Sequence, residues 1–315
     1  MNKRESLLSL VQGNPRTEGV PAGFFLHFDS KHHFGQAAVD KHMEYFRYTG
    51  MDFVKIQYER NYPYLPEIRK PEDWARMPFY GLDYYADQLG VVAGLVKAAK
   101  SEAMVLLTLY SPFMCAIHTV GEGMLIDHLQ QNPEAVKKGL RIIADSLMGF
   151  VREAIKLGID GFYHSTMGGE DGRFNDPDIF THYIRPLDLE LMTEIDHQCS
   201  FNILHICDYL KRYRDLSQFV DYPGHVVNTN LLLVDRMATG QEISVLFGRP
   251  FMGGLDRNGI IVNGSLGEIR QETTRVLEAA PARFILGADC TVPSDIDWDH
   301  LRTAIDTAHQ WKSYR

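Results

Sequence analysis

The sequence predicts an α/β fold: a single (β/α)8 TIM barrel spanning residues 1–315, with a short N-terminal helical extension. Three observations predict it. Eight apolar runs alternate with helical stretches, with no composition break or linker between them. The runs are continuously apolar rather than alternating, as in parallel strands covered on both faces. No Gly-x-Gly-x-x-Gly follows the first run, which weighs against an open doubly wound sheet, the main rival.

In chain order, the first ten or so residues read as a helix with Leu7, Leu8 and Val11 on one face, ended by Gly13-Asn14-Pro15. Ala22–Phe28 is the first strand, Ala37–Tyr48 a helix and Asp52–Gln57 the second strand. A long loop rich in Tyr, Pro and Arg covers Tyr58–Tyr80, a length that usually signals function. Leu82–Ser101 is helical, and Met104–Tyr110 is a third strand stopped by Pro112. Pro133 sits in the first turn of a helix running to about Leu157. Asp160–Ser165 is the fourth strand, Gly168–Asp178 a Gly/Asp-rich loop and Ile179–His197 a helix. Phe201–Cys207 is the fifth strand, with a helix from about Tyr209 to Phe219. His225–Asn230 and Pro250–Leu255 are the sixth and seventh, joined through a short helix near Gly240–Leu246. Ser265–Ala280 is a helix, Phe284–Leu286 the eighth strand, and Trp298–Trp311 a closing helix.

Composition bounds the function. Hydrophobic residues make up 45% and charged residues 23%, ordinary for a globular chain. A formal net charge of -9 disfavours nucleic acid and anionic membrane surfaces as partners. Four cysteines in 315 residues make no disulfide framework. The apolar stretch Ser6–Val11 is too short for a signal peptide. No run approaches the roughly 20 apolar residues that span a bilayer. The expected compartment is a reducing cytoplasm.

The chemistry gathers at two strand ends. His205 and Cys207 are two apart, so on a strand they share a face. Cys290 follows the eighth strand and reaches the same rim if both strands lie in one barrel. One imidazole and two thiolates suit zinc, and three protein ligands with one open position is the catalytic pattern. A buried cysteine beside a satisfied histidine is the plainer reading, and no Cys-x-x-Cys pair is present. The strand map favours the metal site, because barrel chemistry sits at strand C-terminal ends. His27, Gln57, His164, Glu170 and Asp256, at or beyond other strand ends, are candidate substrate-binding residues. His197-x-Cys199 is a decoy: about 3.3 Å of rise per residue puts it roughly 20 Å from the rim. His32 and His33 read as loop residues and Cys115 as packing.

These features resemble the uroporphyrinogen decarboxylase superfamily over nearly the whole chain. The resemblance rests on the eight-unit pattern, Phe180-x-x-Tyr183-Ile184-x-Pro186, Gly253-Gly254-Leu255-Asp256 and Val292-Pro293-Ser294-Asp295. One branch of that superfamily is the metal-free decarboxylase. The other comprises zinc methyltransferases that pass a methyl group from a methyl-corrinoid protein to a thiol such as coenzyme M. The cobalamin-independent methionine synthases share its ligand pattern. The zinc motif is His-x-Cys with a late Cys, which His205, Cys207 and Cys290 match. The resemblance implies Zn2+, a methyl-corrinoid donor on a partner protein and a small-molecule thiol acceptor. The decarboxylase alternative needs cationic residues for a polycarboxylate, and the turn His27–His33 has no arginine. Its aspartate after the second strand has no counterpart in Lys55–Glu59, and Ala288-Asp289-Cys290 replaces its late His turn. A non-catalytic zinc-binding barrel is a further alternative. Two departures from the methyltransferase pattern stand out: Asp208 follows the motif cysteine where Gly is usual, and Val227-Asn228-Thr229-Asn230 lacks the carboxylate that often completes the zinc site. Water, Asp208 or Glu170 is left to fill the fourth position. The Tyr-rich segment Tyr58–Tyr85 is expected to form part of the surface that receives the corrinoid.

Overall fold

The structure, a computed structural model, describes residues 2–13 and 19–312. Asn14 and Pro15, expected to end the first helix, lie outside the described residues. Among the described residues, seven strands form one sheet: β1 (Phe53–Ile56), β2 (Met104–Tyr110), β3 (Gly161–Thr166), β4 (Ile203–Ile206), β5 (Val226–Thr229), β6 (Phe251–Leu255) and β7 (Phe284–Ala288). They pair in sequence order, every pair parallel. The helices are α1 (Lys3–Val11), α2 (Gly35–Thr49), α3 (Ala86–Ala99), α4 (Pro112–Val120), α5 (Glu122–Gln131), α6 (Pro133–Lys156), α7 (Arg185–Gln198), α8 (Gly240–Phe247), α9 (Ile260–Asn263), α10 (Leu266–Glu278) and α11 (Trp298–Gln310). Among the described residues, none of these is long and apolar enough to cross a membrane.

The sheet is curled. Flat strands stand about 4.8 Å apart, so β4 and β7, three steps apart, would be about 14 Å from each other. Instead His205 Nε2, on β4, lies 3.4 Å from the sulfur of Cys290, two residues past β7. Curling gives the sheet an inside. Alternate residues face it: Phe53, Lys55 and Gln57 from β1 and its end, Tyr163 from β3, and Phe201, Ile203 and His205 from β4 and the residues before it. Phe25, Phe53 and Phe201 pack ring against ring at the N-terminal end. Tyr163 and Lys55 sit above them.

The expected first strand is not part of the regular sheet, so seven strands stand where eight were expected and the ladder does not close. Ala22–Phe28 contributes a single parallel bridge, Ala22 with Leu286. The reason is local. Pro21 has no N–H to give. The Ala22 N–H is captured by the Asp52 carboxylate at 2.7 Å rather than by a strand carbonyl. The Gly23 N–H donates to Leu286 and the Leu286 N–H to Pro21 on one edge, and the Asp52 N–H donates to Ala22 on the other, as ladder bonds do.

The helix expected over Tyr209–Phe219 is also absent. Leu210, Tyr213, Leu216 and Phe219 carry a three-residue apolar spacing, but the carbonyls of Arg212 and Tyr213 accept from Asp171 and Val234 instead of from their own chain. Only Ser217–Phe219 makes a 3-10 turn. Conversely, Pro112 does more than stop β2: it opens α4, where Ser111 accepts from the Met114 N–H and caps the helix. The Tyr-rich loop turns several of its large side chains inward. Tyr58, Tyr62, Trp74 and Tyr85 are buried, and the Trp74 indole donates to His128 at 3.0 Å. Tyr64, Phe79 and Leu82 are the large hydrophobic side chains that stretch leaves exposed.

Candidate metal centre

The end of β4 presents His205 and then, one residue beyond the strand, Cys207, whose N–H donates to Thr166 at the end of β3. Beyond β7, Ala288 and Asp289 lead to Cys290. One donor atom from each of His205, Cys207 and Cys290 lies within 4.8 Å of the others, and among the described residues no fourth His, Cys or carboxylate joins them. Zinc–sulfur and zinc–nitrogen bonds of about 2.3 and 2.0 Å at tetrahedral angles put ligand atoms about 3.5–3.8 Å apart. The 3.4 Å between Cys290 Sγ and His205 Nε2 lies just below that spacing. The His205 Nδ1 atom is buried without a partner. The donor set, one imidazole and two sulfurs, is a zinc set.

The neighbouring Cys290 sulfur, with burial, raises the Cys207 thiol well above the usual range. The same pairing holds Cys290 well below that range, helped by His205 and Arg257.

The ring of His205 is positioned by neighbours the sequence reading did not single out. Tyr163 stacks on it, centroids 4.9 Å apart and planes 26° from parallel. The Tyr163 hydroxyl donates to Asn228 Oδ1 at 2.6 Å. Asn228 Nδ2 donates to the carbonyls of Met252 and Ala288, at 2.9 and 3.0 Å. Asn228 stands opposite His205 in register, where a carboxylate ligand was looked for. Its polar atoms are engaged by these three partners, so it fixes the centre rather than joining it. A polar residue inside an apolar strand was the available signal, in Asn228 and in Lys55 alike.

The next shell is charged. Asp208 and Asp289 each adjoin a cysteine of the centre. Asn230 donates to Asp208 at 2.8 Å and to Asp289 at 3.1 Å. Arg257 lies 3.5 Å from Asp208 and 3.8 Å from Asp289, and its backbone N–H donates to Asp289 at 2.7 Å. Burial pushes Asp289 up to about 6, against the pull of Arg257. These four residues line one end of a cavity of about 770 Å³. The cavity continues over Phe251, Val276 and Phe284, between α10 and the loop preceding α8. It runs beside the centre, and His205, Cys207 and Cys290 do not line it.

The other expected substrate-binding residues are dispersed. His27 Nδ1 bonds Glu59 at 2.9 Å at the rim, with His33 3.7 Å from the same carboxylate. Gln57 is interior, donating to the Leu26 carbonyl and accepting from Lys55 and Thr108. His164 pairs in register with Leu204, on the face of the sheet opposite His205, and neither of its ring nitrogens has a partner. Burial lowers its pKa to about 3. Glu170 is engaged by buried Arg173, at 2.8 Å through one oxygen, and by the Gly168 N–H. Asp256 is exposed at the cavity mouth and accepts from the Asn258 N–H. Cys199 is buried at the other end of β4, just past α7, and Cys115 is buried in α4.

Among solved structures the chain resembles a methyltransferase from Methanosarcina mazei, with a TM-score of 0.79 at 11% identity over 98% of each chain. It also resembles a B12-independent methionine synthase from a Shewanella species, with a TM-score of 0.57 at 10% identity over 93% of this chain and 95% of that one. A putative vitamin-B12-independent methionine synthase from Listeria monocytogenes gives a TM-score of 0.54 at 12% identity, over 94% and 100%. No curated protein sequence matches the chain. At such identities the likeness is one of fold. In sequence, the family described as uroporphyrinogen decarboxylase (URO-D) matches residues 48–311, from the end of α2 to the residue after α11. Because that match takes in all seven strands together with His205, Cys207 and Cys290, the chain belongs to the uroporphyrinogen decarboxylase family.

Proposed function

We propose that this protein is a zinc-dependent methyltransferase that moves a methyl group from a methyl-corrinoid, carried by a partner protein, to a small thiol. The observation that carries the reading is the convergence of His205, Cys207 and Cys290 at the C-terminal ends of β4 and β7. Zinc held by these residues would lower the pKa of a bound thiol and keep it as a nucleophilic thiolate. The chain's part is to present the donors and the acceptor. Tyr163 and Asn228 fix the His205 ring, and Asn228 also holds the carbonyl two residues before Cys290. Asp208, Asn230, Arg257 and Asp289 offer hydrogen bonds and charge to the polar end of the acceptor. Tyr209, 71% exposed with the Arg257 guanidinium 5.6 Å from its ring, gives the mouth an aromatic face for a flat corrinoid. The likeness to a methyltransferase and to methionine synthases agrees with this reading.

The decarboxylase reading asks for cations, and the residues next to the centre are Asp208 and Asp289 with one arginine between them. The test is direct. Protein purified without chelator should contain about one zinc per chain and transfer methyl from methylcobalamin to a member of a thiol panel. Zinc-edge absorption should count two sulfur neighbours at rest and three with the acceptor, each at about 2.3 Å. Absence of zinc, or turnover of uroporphyrinogen to coproporphyrinogen at an enzymatic rate, would overturn it.

A further inference from the structure

Lys55 lies in the middle of β1 and points into the curled sheet. It is 6% exposed. Its ammonium donates to Gln57 Oε1 at 2.6 Å, and among the described residues no carboxylate pairs with it. Two aromatic rings flank it: the Phe25 centroid is 4.3 Å from Nζ and the Tyr163 centroid 4.4 Å. Tyr163 is the ring stacked on His205. A buried ammonium with one neutral hydrogen-bond partner is costly unless an opposite charge lies near. The charges that act on it are those of Cys290 first and Glu59 second, and they only partly offset the burial that lowers its pKa to about 7. An apolar side chain would fill the same space between two rings without that cost, so packing alone does not account for a lysine here.

We propose that Lys55 is a positioning residue for the thiolate centre: an interior cation, acting across the Tyr163 ring, that favours an anionic ligand at the centre over a neutral one. The inference rests on reading His205, Cys207 and Cys290 as a zinc site, and it concerns the charge of what that site accepts. A centre of two thiolates, one imidazole and Zn2+ is neutral. A thiol that binds it as thiolate, its proton leaving to solvent, makes it anionic, whereas imidazole leaves it neutral. Lys55 therefore discriminates between the two. Attraction to a ring face adds to the placement, since Tyr163 holds the cation on the same ring that packs against His205.

The test uses the full chain with Co2+ in place of zinc, because cobalt reports each ligand by its absorption. Affinities for 2-mercaptoethanol and for imidazole are measured on the wild type and on Lys55→Met. The preference for the thiol over imidazole should fall roughly tenfold or more, the scale on which groups outside the ligand set act. A merely structural role would weaken both ligands alike, leaving the ratio unchanged, and that result overturns the proposal. If Lys55→Met does not fold, Lys55→Gln removes the charge while keeping a polar head toward Gln57, and the same ratio decides. If the wild type binds neither cobalt nor zinc, the zinc reading itself falls. A wild type that binds metal and thiol, with an unchanged ratio in the variant, sinks only the role of Lys55.

Discussion

Asn228 accepts from Tyr163 on β3 and donates to carbonyls of Met252 on β6 and Ala288 on β7, while standing beside His205 on β4. Truncating it removes three hydrogen bonds from buried polar groups, each worth about 0.5–1.5 kcal/mol, with more where a group is left unsatisfied. Relaxation recovers part of this, so Asn228→Ala should lose roughly 3 kcal/mol in urea unfolding. Zinc bound at the proposed site should also be more easily stripped from this variant by a chelator. The three proposed ligands make a sharper prediction. Cys207→Ser and Cys290→Ser should each lose most of the bound metal by elemental analysis, while Cys199→Ser, at the far end of β4, should retain it. Loss from Cys199→Ser with retention in Cys207→Ser would mean the wrong pair was chosen. The cluster of His205, Cys207 and Cys290 was legible in the sequence because two-residue spacing on a strand fixes a shared face. Asn228, Tyr163 and Lys55 were not, because their partners lie 24 to 65 residues away or on rings that only curling brings near.

At the scale of elements, β6 departs from a simple strand at Gly253 and Gly254, with φ of 147° and 100°. A side chain at 253 would meet the Phe251 ring at 2.8 Å, and one at 254 would strike Val276 on α10. Gly253→Ala should therefore cost about 1–3 kcal/mol, read as a lower urea midpoint at unchanged slope. On the outer side of the sheet, α7 buries Asp188 completely, where it accepts from Thr166 and Tyr222. Burial raises its pKa to about 7, against those two donors. In the unfolded chain the group titrates near about 3.9. Between these values the folded protein keeps a proton that the unfolded chain has released. The raised pKa thus favours the fold at low pH, and that contribution is lost as pH rises toward 7. Asp188→Asn should flatten the stability-versus-pH curve across that window, removing up to about 1.4 kcal/mol per pH unit of slope. An unchanged slope in the variant would rule out Asp188 as the source. The Pro133 start of α6 and the apolar run of β2 were readable from sequence, as local signals. The missing helix at Tyr209–Phe219 was not, because its carbonyls are taken by loops distant in sequence.

For the molecule as a whole, the sheet's two edges are joined by Pro21–Gly23. That join hangs on Asp52, whose carboxylate accepts from the Ala22 N–H and lies 2.8 Å from His309 Nε2 near the C-terminus. Asp52→Ala should speed hydrogen exchange at the Ala22 and Gly23 amides well beyond the rest of the sheet. It should lower stability by about 2 kcal/mol, the worth of hydrogen bonds to a charged acceptor. Exchange at those amides unchanged from the wild type would show the segment is held by other means. By itself the sequence determined the parallel α/β alternation, the order of the strands and the rim on which His205, Cys207 and Cys290 lie, because each follows from periodicity and chain direction. The tertiary structure alone decided that seven strands rather than eight make the ladder, because a side-chain carboxylate competes for the Ala22 amide. It also decided that Tyr58, Tyr62, Trp74 and Tyr85 turn inward, and that His164 and Glu170 stand apart from the centre. It set a lysine beneath the centre as well. These outcomes depend on which distant group reaches a buried polar atom first, and nothing in the local sequence encodes that contact.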